Sequence, residues 1–141
     1  MRLLTVLALF TASLQCQQAI QIKKVEQFYV LGMSVRTDNA HEMTGQGKIG
    51  GLWLGWRVPS EEMRALNQLP PGLTAVKIQA GKYAIIPSER GPAPKVVPEV
   101  WKRIWALTPT ELTRPRAFKT DFEFYGSATT NDQVDVFIGL R

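Results

Sequence analysis

Apolar and polar side chains alternate most regularly in the last third of the chain. Over residues 116–125 three phenylalanines share one parity, and over residues 133–140 valine and isoleucine alternate with other residues. A period of two is typical of strands with one buried face. The intervening residues 126–132 include Gly, Ser, Asn and Asp, which favour turns. The pattern therefore predicts a hairpin. In its first strand, Phe118, Phe122 and Phe124 alternate with Asp121, Glu123 and Tyr125.

Two earlier segments also have the pattern of strands. Residues 25–36 are largely apolar on both parities, which predicts a central strand. Residues 73–86 form the next strand region, and Gly81 interrupts its apolar alternation. Because a glycine inside a strand often marks an irregularity, we expect a bulge or bend there.

The clearest helical spacing lies over residues 95–107, where apolar side chains form one stripe and charged side chains face outward. Pro98 fits this helix if the helix starts near Val97, which places the proline in the first turn. Trp101 and Trp105 are four residues apart and therefore adjacent on the helix surface.

Two further segments predict weaker helices. Residues 47–56 have apolar positions at helical spacing but contain four glycines, so this helix needs tertiary packing. Residues 58–69 predict a short helix in which Ser60 caps the N-terminus. Pro70, Pro71 and Gly72 then end it.

Composition limits the possible functions. A chain of 141 residues with 45% hydrophobic content is long enough for one domain with a core. The net charge of +5 comes from scattered basic residues, not from the dense stripe that direct nucleic-acid binding usually needs. A single cysteine excludes an intramolecular disulfide, and a single histidine, His41, argues against a transition-metal site. We therefore expect no metal and no cofactor.

The N-terminus has two interpretations. Met1 and Arg2 precede an apolar run over residues 3–14 and then a polar stretch, which is the outline of a secretory signal peptide. The run is too short for a transmembrane helix, so no membrane span is expected. Residues 1–22 are either a cleaved signal, which implies export, or an extra segment that is retained and packs on the domain. In the second case the protein is expected to be cytoplasmic. Residues 23–141 form the predicted domain in both cases.

The order of elements suggests an internal repeat. A strand, a polar loop and a helix with tryptophan occur over residues 25–56 and again over residues 73–107, where Trp101 takes the place of Trp53. The hairpin follows the second helix only. The chain therefore has the pattern of a duplicated unit whose first copy lacks its hairpin.

Three short segments point to a known family: AGKYA at residues 80–84, W-x-x-I-W at residues 101–105 and DFEFY at residues 121–125. Together with VLGMSVRT and GKIGGLW they resemble the bacterial GyrI-like small-molecule-binding domain. This domain is the effector-binding module of AraC-type and MerR-type transcription regulators and also occurs as a stand-alone protein. The resemblance covers most of residues 23–141. It implies an α+β fold in which a pseudo-twofold repeat forms a curved antiparallel sheet, with helices on one side and a ligand cleft between the halves.

The resemblance also implies a binding site. In such domains a glutamate of the DFEFY strand lies in an aromatic cleft that receives lipophilic cations, and Glu123 matches it. Aromatic surroundings deprive a carboxylate of hydration, a cost that a bound cation offsets, and aromatic faces attract the cation by about 0.5–2 kcal/mol each. The expected aromatic lining is Tyr125, Tyr83, Trp101, Trp105 and Phe28. The alternative is that Glu123 is an exposed strand residue paired with Lys119 or Arg116.

Three functions remain open at this point. The first is binding of a lipophilic or cationic small molecule without catalysis. The second is a hydrolase in which Glu123 acts as general base, assisted by Tyr125 or Tyr83. No second catalytic group stands at a fixed spacing, so we assign no catalytic residue. The third is an inhibitor-type protein-interaction module. The missing hairpin would leave an open sheet edge, which a homodimer or the N-terminal segment would complete.

Overall fold

A computed structural model describes residues 20–42, 44, 46–48, 55–66, 68–126 and 133–141. Over these residues the chain is α+β with antiparallel sheets and few helices, as the sequence predicts. The elements are β1 (Gln21–Val25), β2 (Phe28–Gly32), α1 (Asn39–Glu42), β3 (Gly55–Val58), α2 (Ser60–Ala65), β4 (Thr74–Ile78), β5 (Gly81–Pro87), α3 (Ala93–Ala106), β6 (Arg116–Tyr125) and β7 (Val134–Leu140).

The predicted hairpin is part of a four-stranded sheet with the order β1-β5-β7-β6. Helix α3 packs on one face of this sheet through Val100 and Ile104, which are buried. The strand residues beneath them alternate as expected, since Val136 and Ile138 of β7 are fully buried in the same cluster. This apolar layer between α3 and the sheet is the main core of the described residues.

Helix α3 begins earlier than the sequence suggested. It starts at Ala93, with a proline at its first positions, so Pro98 lies inside the helix and not in its first turn. The prediction of a start near Val97 was therefore wrong. A proline has no N–H to donate, so the helix lacks one backbone hydrogen bond at Pro98. Packing of Val96 and Val100 against the sheet side holds both turns in place.

The strand predicted over residues 73–86 is two strands in different sheets. Its first half, β4, pairs with β2 in a three-stranded sheet of order β3-β2-β4, and its second half, β5, pairs with β1 and β7. Gly81 is therefore the first residue of β5 and does not form a bulge within one strand. Of the segment predicted over residues 25–36, only Val25 belongs to β1, and the strand within it is β2, which ends at Gly32.

The internal repeat is visible in the pairing. In the smaller sheet β2 lies between β3 and β4, and in the larger sheet β5 lies between β1 and β7. Strand β2 therefore corresponds to β5, and β4 corresponds to β7. The second copy continues with β6 beside β7, whereas no described strand pairs with the outer edge of β4. Among the described residues β4 thus takes the place of β7, and only β6 has no counterpart in the first copy. Completion of this edge by a second chain stays a prediction.

The first two predicted helices are only partly covered. Most of residues 47–56, including Trp53, lies outside the described residues, but Gly55 and Trp56 belong to β3 and pair with Gly32 and Leu31. The helical interpretation is therefore wrong for those two positions, where pairing with β2 determines the conformation.

Helix α2 is shorter than predicted and is not capped by Ser60. The N-cap is Pro59, and the Ser60 hydroxyl donates instead to the carbonyl of Gln27 at 3.2 Å. The segment over residues 1–19 lies outside the described residues. In the part that the structure describes, no helix is long and apolar enough to cross a membrane.

An aromatic cluster joins the two sheets. The Phe122 ring of β6 stacks on Phe137 at 4.5 Å between centroids, and its edges meet Tyr83 at 5.4 Å and Phe28 of the other sheet at 5.5 Å. Phe28, Ile78 and Tyr83 are buried in this cluster. The four-stranded sheet therefore has a core on both faces, one under α3 and one against the three-stranded sheet.

Candidate functional site

Glu123 lies on the side of the sheet that faces α3. It is paired with Val136 of β7, whose side chain is buried under the helix. From α3, the indole Nε1 of Trp101 donates to one carboxylate oxygen at 2.6 Å. From the same strand, the Tyr125 hydroxyl donates to the other oxygen. The carboxylate is therefore half-buried and held by two donors from different elements.

Trp105 extends the aromatic surface beside this carboxylate. It follows Trp101 by one helical turn, and the two ring centroids are 6.2 Å apart at an interplanar angle of 36°. Trp105 is 46% exposed and Tyr125 is 39% exposed. Glu123, Trp101, Tyr125 and Trp105, which we call the Glu123 group, thus combine a fixed carboxylate with accessible aromatic rings.

The protonation of Tyr125 is set by this environment. Burial and the hydrogen bond to the Glu123 carboxylate both raise the pKa of Tyr125 well above its usual value of 10.0. The phenol therefore keeps its proton at neutral pH and serves as a donor to Glu123. A tyrosine in this state orients the carboxylate and does not act as a base.

Tyr83 and Phe28 lie on the opposite face of the sheet from the Glu123 group. Tyr83 is 4% exposed, and its hydroxyl donates to the carbonyl of Gln79 at 2.9 Å. Burial, followed by the nearby Asp121, raises the pKa of Tyr83. Phe28 packs edge-on against Phe122 and lies under the guanidinium of Arg57 at 4.8 Å. The structure therefore brings together four of the six predicted site residues and places these two in the core between the sheets.

Arg116 forms its ion pair with Asp121 and not with Glu123. Its guanidinium donates to Asp121 at 2.7 Å, and both side chains are largely buried. Sequence reasoning missed this pair because residues five apart on a regular strand point to opposite faces. A register shift in β6 between the two residues brings them together. Among the described residues no ion pair joins Glu123 to Arg116 or Lys119.

Two cavities lie away from the Glu123 group. One, of about 760 Å³, lies at the end of the four-stranded sheet, beside Tyr83 and Lys119. The other, of about 390 Å³, lies between β2 and the start of α2, beside Phe28 and Arg57. Glu123 lines neither of them.

Acidic and histidine side chains do not gather into a metal site in the described part of the chain. His41, in α1 and exposed, forms its contact with Asp38 at 2.9 Å. The chemistry that the Glu123 group offers is accordingly that of a hydrogen-bonded carboxylate beside aromatic rings.

Comparison with known proteins identifies the family. Residues 54–140 match the Cass2 family, described as integron-associated effector-binding proteins. The chain belongs to the Cass2 family. This match includes α3 and the β6–β7 hairpin, and so the whole Glu123 group. The GyrI-like resemblance is thereby confirmed.

Two relatives agree with this assignment. The Cass2 chain is 26% identical over 150 residues to YobU of Bacillus subtilis (strain 168), whose name is that of a proposed transcriptional regulator. The match covers 78% of this chain and 90% of YobU. The crystal structure of the integron cassette protein VCH_CASS2, from the mobile metagenome of Vibrio cholerae, has a TM-score of 0.65 and 26% identity. It covers 88% of this chain and 97% of that protein.

Effector binding is the function that the family description names. A small molecule is therefore the partner that membership in the Cass2 family implies, in agreement with the expectation from the sequence.

Proposed function

We propose that this Cass2 protein binds lipophilic cationic small molecules at the Glu123 group and performs no chemistry on them. The observation that carries the proposal is the carboxylate of the half-buried residue Glu123, which is held by Trp101 and Tyr125. The exposed ring of Trp105 lies next to Trp101, with 6.2 Å between the ring centroids. A fixed anion beside aromatic faces is the arrangement that recognises organic cations.

The charge balance supports a cation as the ligand. Both donors to Glu123 are neutral groups, and no ion pair in the described residues includes Glu123. Half-burial reduces the screening of this charge by water and makes its attraction to a cation stronger than at an exposed carboxylate. A bound cation also stacks on the Trp105 face, which contributes about 0.5–2 kcal/mol.

A hydrolase is the second candidate function, and the Tyr125–Glu123 hydrogen bond is the observation that favours it. A general base must reach a water molecule directly. Both oxygens of Glu123 already accept hydrogen bonds, from Trp101 and Tyr125, so a water would have to share one of them. Glu123-dependent turnover of an electrophilic substrate would establish this function, and binding without turnover favours the first proposal.

The test is a thermal-shift measurement with tetraphenylphosphonium and, as the probe of opposite charge and similar shape, tetraphenylborate. We expect the phosphonium to raise the melting temperature of the wild type and of Glu99→Gln, and not that of Glu123→Gln. Glu99 is the matched control because it lies on α3, is exposed and loses the same charge. The proposal fails if Glu123→Gln responds like the wild type or if the borate gives the same shift.

A further inference from the structure

A wide irregularity in β6 shapes the end of the four-stranded sheet. Arg116 is paired with Leu140 and Asp121 with Ile138. The two pairs are five residues apart on β6 but only two residues apart on β7. The residues in between, 117–120, are therefore out of register with β7. Phe118 in this segment has φ 51 and a side chain that is 75% exposed. Positive φ is rare for a bulky residue and is typically retained where the surroundings require it. We call residues 117–120 the β6 bulge.

The Asp121 side chain fixes the β6 bulge through two hydrogen bonds. Its carboxylate accepts from the Arg116 guanidinium at 2.7 Å and from the backbone N–H of Gly139 at 2.9 Å. At Gly139 the bulge passes so close that a Cβ atom would lie 2.7 Å from the Thr120 carbonyl oxygen. The bulge is thus a fixed feature, tied by a largely buried ion pair and a close backbone contact. Bulges of this kind commonly adjoin functional sites, where they redirect side chains.

The β6 bulge forms one side of the cavity of about 760 Å³. The turn between β4 and β5 and the end of β7 form the other sides. Ala117 and Leu140 line it with apolar side chains, and Tyr83, which is 4% exposed, adjoins it. The cavity is large enough for a small aromatic molecule.

The charged residues that line this cavity are all basic: Lys82, Lys119 and Arg141. Lys82 and Lys119 are exposed, and the ion pairs of the described residues include none of the three side chains. A concave surface that carries one sign of charge concentrates ions of the opposite sign.

We propose that this cavity is a second binding site, for an organic anion in which a carboxylate is attached to an aromatic body. Lys82, Lys119 and Arg141 surround the carboxylate and form charge-assisted hydrogen bonds with it. The aromatic body lies against Ala117 and Leu140. The site is separate from the Glu123 group, so the protein carries two sites of opposite charge preference.

The experiment is isothermal titration of the full chain with 1-naphthoate and with neutral 1-naphthamide, which has nearly the same shape. We expect naphthoate to bind at one site per chain and naphthamide to bind at least about tenfold more weakly, the factor that corresponds to the loss of one good charge-assisted contact. Equal binding of the two compounds, or no binding of naphthoate, overturns the proposal.

Variants locate the site. Lys119→Ala lies in the exposed bulge and should weaken naphthoate binding by about tenfold, and Lys82→Ala should act in the same direction. Lys95→Ala removes the same charge from the exposed first turn of α3 and should leave the affinity unchanged. Equal losses in all three variants would mean attraction by net charge alone and would overturn the proposal. Melting curves of each variant without ligand show that the fold is retained.

Glu123→Gln distinguishes this site from the proposed cation site. We expect naphthoate to bind this variant as it binds the wild type, because Glu123 does not line the cavity. Loss of naphthoate binding in Glu123→Gln would place the anion elsewhere and contradict the proposal. Failure of the phosphonium test would leave the naphthoate result unaffected.

Discussion

Glu123 shows how much a single side chain depends on neighbours that are distant in sequence. Its two donors are Tyr125, two residues away on β6, and Trp101, which comes from α3. The first contact follows from strand periodicity, because residues i and i+2 share a face. The second needs the helix to lie across that face. The carboxylate is therefore placed by the strand and oriented by the helix.

Trp101→Phe tests this orientation at the level of one hydrogen bond. The phenyl ring keeps apolar packing but cannot donate to Glu123, so the free energy of unfolding should fall by about 1–3 kcal/mol, the usual range for a hydrogen bond to a charged group. Urea denaturation measures the change. Trp105→Phe, which alters the exposed neighbour, is the control and should cost less. A larger loss in Trp105→Phe would contradict the assigned role of Trp101.

Gly139 is required by a close approach of two strands. A Cβ atom there would lie 2.7 Å from the backbone carbonyl oxygen of Thr120, which cannot move aside as a side chain does. We expect Gly139→Ala to lower the free energy of unfolding by about 1–3 kcal/mol. Gly126→Ala is the control, since a Cβ atom there meets nothing within 4 Å. Denaturant titration that finds the two variants equally stable would disprove the argument.

Asp135 gives a pH dependence of known sign. Burial raises the pKa of Asp135 above 3.8, so the folded state holds its proton at pH values where the unfolded state has released it. The free energy of unfolding therefore falls as pH rises from about 3.8 through the higher pKa of the folded state. Asp135→Asn removes this loss.

We expect Asp135→Asn to be more stable than the wild type at pH 7, with a difference that shrinks towards pH 3.5. Urea denaturation at several pH values measures it. Asp38→Asn is the control, because hydrogen bonds from His41 lower the pKa of Asp38 and loss of that charge should not stabilise the fold. A stability difference that is constant with pH would rule out titration of Asp135 as the cause.

At the scale of elements, β6 combines a regular half with an irregular one. Residues 121–125 pair with β7 without interruption and carry Glu123 and Tyr125, whereas residues 117–120 form the bulge beside the cavity. The Arg116–Asp121 pair lies at the boundary between the two halves. One half of β6 thus contributes to the proposed cation site and the other half to the proposed anion site. The Arg116–Asp121 ion pair lies between the two halves.

Loss of the Arg116–Asp121 pair should open the β6 bulge. Asp121→Ala leaves the Arg116 guanidinium largely buried without its partner and removes the acceptor of the Gly139 N–H. We expect the free energy of unfolding to fall by about 3–5 kcal/mol, the range for breaking a buried ion pair. Arg116→Met with Asp121→Ala should recover part of that loss. Additive effects in this double-mutant cycle, measured by denaturant titration, would show that the two side chains are not coupled.

At the scale of the whole molecule, the two sheets meet in a small aromatic cluster. Phe122 contacts Phe28, Tyr83 and Phe137, and so connects the three-stranded sheet to the face of the larger sheet opposite α3. The larger core, under α3, does not include the three-stranded sheet. The smaller sheet therefore depends on this cluster for much of its stability.

Phe122→Ala should destabilise the three-stranded sheet more than the four-stranded sheet. We expect a loss of about 3–5 kcal/mol in the free energy of unfolding and faster amide exchange in β2 and β4 than in β5 and β7. Hydrogen exchange measured residue by residue provides the comparison. Val100→Ala, which enlarges the other core, is the control and should speed exchange in β5 and β7 as well. Uniform exchange across both sheets in Phe122→Ala would mean that they unfold as one unit.

The sequence by itself determined the elements whose signals are local. The β6–β7 hairpin followed from two-residue alternation, and α3 followed from its apolar stripe, because each pattern repeats over enough residues to be distinct. Short segments also determined the family, and with it the α+β class. Three of the residues expected around Glu123 share one strand face and one helix stripe with it, and their role in binding stays a prediction: Trp101, Trp105 and Tyr125.

The tertiary structure alone decided where the chain changes sheets. The apolar run over residues 73–86 looks like one strand because β4 and β5 have the same composition, and only their different partners divide it. The register also turns Tyr83 away from Glu123. Tyr83 is paired with Gly139 and Glu123 with Val136, three positions apart on β7, and successive residues of a strand face opposite sides of the sheet. Arg116 meets Asp121 because a bulge changes the parity between them. Such contacts depend on register between segments far apart in sequence, which local periodicity does not contain.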